Sequence, residues 1–135
     1  MTFHTPLPRL PWFTRELLTH LAPARAALLV MDDIVFCEPA ELVALRRAAG
    51  GPTSWPEAPG MLWEGDLEGI AAGLTAALRG GGDFRLLCAP STHALRADHD
   101  EYTTFFSTSP GRIAAVRQAM RAGAVQEVEW TAHDP

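Results

Sequence analysis

His93, Asp98, His99, Asp100 and Glu101 form the densest set of ionisable side chains in the sequence. A neutral imidazole can bind a divalent metal through one ring nitrogen, and neighbouring carboxylates can orient the ring or add oxygen ligands. On that chemistry His93, Asp98 and His99 are the candidate metal ligands. Their spacing matches no zinc-protease helix, which needs histidines four apart, and no Cys-x-x-Cys pair is present to complete a structural zinc centre. A polar turn explains 97–100 equally well, because Asp and His tolerate turns and solvent.

Nucleophilic chemistry has four candidates, Cys37, Cys88, Ser91 and Thr92. The last three precede His93 closely, so a thiol and two hydroxyls lie near an imidazole in sequence. No G-x-S-x-G elbow accompanies them, and a cysteine two residues before a proline is the ordinary pattern of buried packing. Asp32 and Asp33 follow an apolar run, and 28–33 resembles the acidic strand end of response-regulator receiver domains. That family begins near its first strand and carries a late lysine. Here a helix pattern precedes the run and the chain has no lysine at all, so the resemblance ends at those six residues.

The missing lysine has wider consequences. All basic residues are arginines, a bias of coding preference, and it excludes Schiff-base chemistry, a P-loop lysine and a lysine general base. Glycines 80–82 follow a helix pattern instead of preceding one, so they cannot cradle a phosphate on a helix amino terminus. Nothing implies a cofactor. The net charge of −5 and pI near 5.4 argue against nucleic-acid binding, which needs clustered basic residues. A basic protein partner is the expectation that fits this charge, with Trp55, Asp100, Glu101, Glu127 and Glu129 as its candidate contacts.

The elements that must position these groups follow from apolar periodicity. Leu10, Phe13, Leu17 and Leu21 recur at helical intervals after a proline-rich arm (1–10), predicting a helix over about 11–21. The continuous run 26–31 reads as a buried strand. A helix over about 39–49 stops at Gly50, and a long Pro/Gly loop (50–60) is pinned by Trp55. A short strand at 61–63 leads to Asp66, the expected N-cap of a helix carrying Leu67, Ile70, Leu74 and Leu78 on one stripe. Residues 84–89 and 102–107 are the clearest strands, joined by a long hairpin connection (90–100) that can carry strand extensions through His93 to Arg96. Ser109 and Pro110 start a helix that Gly123 stops, and 125–130 forms a last strand with one acidic face.

This order predicts one α+β domain over 1–135, with a mixed, largely antiparallel sheet of about four or five strands under about four helices, in two or three layers. The longest apolar run is far short of the roughly 18 residues that a membrane span requires. With no export signal and two cysteines in apolar surroundings, a cytoplasmic setting is expected. The sequence does not decide between enzyme and binding protein. The first reading is a non-catalytic protein-binding module, inhibitor-like or immunity-like; the alternative is a small metal-dependent hydrolase with a His/Asp site at the sheet end. Self-assembly into a homodimer through an exposed apolar edge is a further reading, decided by light scattering.

Overall fold

Residues Asp83–Ala89 show how the sheet is built, because Phe84, Leu86 and Cys88 are buried while Arg85, Leu87 and Ala89 are exposed. This alternation is the signature of a strand with one face packed and the other open. The structure is a computed structural model that describes residues 1–35, 38–51, 59–65, 67–90 and 93–129. In it β1 (Thr2–His4), β2 (Ala26–Asp33), β3 (Gly60–Glu64), β4 (Asp83–Ala89), β5 (Ala94–Ala97), β6 (Tyr102–Phe106) and β7 (Glu127–Val128) form one sheet. Its order is β3-β2-β4-β5-β6-β1-β7, and every adjacent pair is antiparallel.

The sheet therefore has seven strands where about four or five were expected, and it is not mixed. Two strands account for most of the excess. β1 is only three residues long and lies among prolines, yet it inserts between β6 and β7, with Phe3 1% exposed. The expected amino-terminal arm is thus partly an interior strand. β5 separates β4 from β6, so the two clearest strands do not pair with each other; Leu86 pairs with Leu95, and Leu95 with Phe105. The last strand shrinks to Glu127–Val128.

Among the described residues four α-helices accompany the sheet: α1 (Leu10–Leu21), α2 (Ala40–Ala48), α3 (Leu67–Gly80) and α4 (Pro110–Ala122). Ser109 caps α4 by accepting from the Arg112 amide at 3.3 Å, as its position predicts. Gly50 takes the left-handed φ of 72° after α2. After α4 that conformation falls to Ala124, at φ 53°, and not to Gly123. Gly123 serves packing instead, since a Cβ there would fall inside the Trp12 ring. Gly73 has the same function on α3, where a Cβ would enter the Trp63 indole and force α3 away from β3.

The inward residues of every helix join one alternate set of strand residues in a single core, including Phe3, Leu29, Phe84, Leu86, Leu95 and Phe105. On α3, Ile70, Leu74 and Leu78 belong to it, whereas Leu67 is 48% exposed and does not. Buried polar groups are bonded across elements: Thr5 Oγ1 to Thr103 Oγ1 at 2.8 Å, Thr14 Oγ1 to Thr75 Oγ1 at 2.9 Å, and Arg46 Nη2 donating to the Gly60 carbonyl at 3.0 Å. Apart from Thr2, the buried strand residues all face the helices. The molecule has two layers, and among the described residues no helix lies on the other face of the sheet.

Candidate functional site

The polar segment singled out by sequence folds as the β5–β6 turn. Asp98 Oδ1 accepts from the amides of Asp100 and Tyr102, each at 3.1 Å, and Glu101 takes φ 65° to close the turn. Asp98 is thus an Asx-type turn former, and its side chain is engaged by local backbone. His99 sits beyond the end of β5 and binds Asp83 twice, through its backbone amide and through Nδ1, both at 2.8 Å to Oδ1. The Asp83 hydrogen bond, with the charges of Asp83, Asp100 and Asp98, raises the His99 pKa against a smaller opposing effect of desolvation.

His93 lies before the other end of β5. Near-extended chain separates the two histidines, placing them roughly 20 Å apart at the strand rise of about 3.3 Å per residue. The His93 ring is tilted against Phe105 at 5.9 Å between centroids, and burial, then the Arg112 charge, lowers its pKa. The two imidazoles shift in opposite directions because one leans on core aromatics and the other on carboxylates. Among the described residues no group of three His, Cys, Asp or Glu side chains is arranged to hold a metal ion. The geometry lends the hydrolase reading no support.

Other candidates are engaged elsewhere. Cys88 is buried, and desolvation pushes its thiol up to about 11, so it carries no thiolate at neutral pH. Asp32 holds the Arg85 guanidinium, with Arg85 Nε 3.0 and 3.1 Å from its two oxygens. Glu127 binds Arg117 through both oxygens, at 2.8 to 3.0 Å, which lowers its pKa. Asp100, Glu101 and Glu129 are exposed. Glu127 sits on β7, with β1 between it and β6, so the carboxyl-terminal acids and those of the turn do not stand on neighbouring strands. Trp55, Asp66, Cys37, Ser91, Thr92 and Trp130 lie outside the described residues.

What sequence reasoning missed is the uncovered face of the sheet. Strand registers place Leu62 beside Leu28, Leu28 beside Leu87, Leu87 beside Ala94 and Ala94 beside Phe106. These five side chains make one continuous apolar row across β3, β2, β4, β5 and β6, perpendicular to the strands. Leu62 is 58%, Leu87 47% and Phe106 49% exposed, and they are half of the exposed large apolar residues described. The other three, Leu7, Val35 and Leu67, lie off this row.

The rows on either side differ in size and polarity. Toward one end stand Glu64, Ala26 and Ala89; toward the other stand Gly60, Val30, Arg85, Arg96 and Thr104. At the Phe106 end a recess of about 190 Å³ is lined by Arg96, Asp98, Thr104 and Phe106. That volume is below the roughly 300 to 1,000 Å³ of small-molecule pockets. Compared with protein families, with curated proteins and with solved structures, the chain has no match. Among the described residues no helix is long and apolar enough to cross a membrane.

Proposed function

We propose that this chain is a non-catalytic protein-binding module that presents the uncovered face of its sheet to a protein with a complementary apolar patch. The observation that supports it is the row Leu62, Leu28, Leu87, Ala94 and Phe106, an apolar band in which Leu62, Leu87 and Phe106 are exposed and Leu28 and Ala94 half-buried. Contiguous exposed apolar surface rimmed by polar groups is the usual mark of a protein contact. The helices are already packed on the opposite face, so exposure here is not a by-product of an unfinished core.

The inhibitor-like or immunity-like form of this reading, with a basic partner, draws on the net charge of −5. The face itself is closer to neutral: Arg85 and Arg96 stand among Asp32, Asp98 and Glu64. Long-range steering can favour a basic partner, while the contact is made by apolar side chains.

The test is quantitative co-purification of the full chain from its native cells, comparing wild type with Leu87→Asp and Leu67→Asp. Bound protein, including untagged copies of the chain itself, is expected with wild type and Leu67→Asp and is lost with Leu87→Asp. If no bound protein depends on Leu87, the proposal fails.

A further inference from the structure

We infer that the occupant of the uncovered face is a second copy of this chain, packed sheet to sheet about a twofold axis that runs along the apolar row. This rests on the reading of that face as a protein-binding surface. A twofold along the row sets each row residue against its own copy and reverses the strands, so the residues flanking the row on one side meet those flanking it on the other. On β4 Arg85 then lies over Ala89 of the second copy; on β2 Val30 lies over Ala26; on β3 Glu64 lies over Gly60. In each case the larger side chain meets a small one.

That size matching is the main argument for self-pairing, because an isologous contact requires a surface to complement itself. The other in-plane twofold, parallel to the strands through Leu87, would stack Arg85 on Arg85 and set Asp32 over Asp98, two like-charge contacts. Charge gives a second argument. The chain is acidic, yet Arg85 and Arg96 on this face nearly offset Asp32, Asp98 and Glu64, so two copies can approach here without stacking acid on acid. Other acids, such as Glu41 and Glu68, sit on the helices and bind Arg79 and Arg15 there.

Area gives the scale. Five strands about 4.8 Å apart, β5 showing about 13 Å of its length and the others about 17 Å, give a flat footprint of roughly 400 Å² before side-chain relief is counted. Specific complexes start at about 600 Å² of accessible surface per partner. This pair therefore lies below the usual size, and pairing is expected to be weak and concentration-dependent.

Sedimentation velocity of the full chain from about 1 to 500 µM tests the inference, a range that reaches the concentrations weak pairing requires. Wild type is expected to reach twice the chain mass. Leu87→Asp is expected to stay monomeric with unchanged circular dichroism and melting temperature. Leu62→Asp, at the edge strand, weakens pairing at least fivefold and covers the case in which Leu87→Asp disturbs folding. Leu67→Asp pairs as wild type. Ala89→Glu, which sets a carboxylate against Arg85 of the second copy, tightens pairing severalfold; unchanged or weaker pairing overturns the axis. A wild type monomeric throughout, or a dimer that persists in both row variants, overturns the inference. A monomeric wild type that still retains Leu87-dependent proteins in co-purification overturns self-pairing alone and leaves the binding-module reading standing.

Discussion

The two faces of the sheet are made by the same strands with nearly the same residue types, yet they have different physical tasks. On β4, Leu86 is fully buried against the helices and its neighbour Leu87 is 47% exposed. On β6, Phe105 is fully buried and Phe106 is 49% exposed. The inner set is packed in the core; the outer set stands at the surface of the single chain. Apolar character therefore does not separate core from surface here, and only strand register does.

The sharpest way to break this comparison is to truncate neighbours on opposite faces. Leu86→Ala is expected to cost about 2–5 kcal/mol, the range for opening a cavity in a packed core. Leu87→Ala, half in solvent in the single chain, is expected to cost under about 1 kcal/mol. Urea unfolding of both variants at low protein concentration measures the difference, and equal costs would mean that the outer face is also core.

A polar pair repeats the contrast at smaller scale. Thr5 and Thr103 share a buried hydroxyl contact of 2.8 Å. Thr103→Val leaves the Thr5 hydroxyl without that partner and is expected to cost about 1–3 kcal/mol. On the opposite face Thr104 meets Thr2 at 2.9 Å, and there Thr104 is half-buried and reached by water. Thr104→Val leaves the hydroxyl of Thr2, itself 3% exposed, beside the half-buried position and is expected to cost less, about 0.5–1.5 kcal/mol. Thermal unfolding of the two variants tests the ranking.

The histidines give the smallest effect and the most local one. His99, held by Asp83, is expected to titrate above 6.5, and His93, against Phe105, below it. The His99 contribution to stability is fully present below its unfolded pKa and is lost as pH rises through the raised folded value. For His93 the sign reverses: its contribution is present above the unfolded pKa and is lost as pH falls through the lowered folded value. NMR titration of the two rings checks both directions, and Asp83→Asn should bring His99 back toward its ordinary value while leaving His93 where it is.

Much of the architecture was legible because alternation and stops are local. The helix with Phe13 and Leu17 inward, the Ser109 cap and the strand carrying Phe84 and Leu86 are all written within a few residues. Other elements were not. β1 is too short and too close to prolines to show a period, and its place between β6 and β7 depends on partners near the other end of the chain. β5, with Ala94, Leu95, Arg96 and Ala97, was legible only as an extension of its neighbours through 93–96, because it lacks the β-branched and aromatic residues that mark a strand of its own.

The continuous apolar run of β2 left open whether one face or both are covered. Ala27, Leu29 and Met31 face the core, while Leu28 and Val30 belong to the uncovered face. A strand apolar on both sides is also the pattern of a sheet sandwiched between helices. The candidate site was illegible for the same reason: Leu28, Leu62, Leu87, Ala94 and Phe106 each look like ordinary strand residues, and they become a row only once the strand registers are known. The conspicuous polar residues, Asp98 and His99 among them, turned out to be engaged in a turn.

The uncovered face of the sheet is proposed as a protein contact. Photo-crosslinking in native cells, with p-benzoylphenylalanine in place of Phe106 and separately of the off-row residue Leu67, tests this most directly. Protein adducts from position 106 and none above background from position 67 are the result expected. Position 106 giving no protein adduct, with the chain folded and expressed, would contradict it.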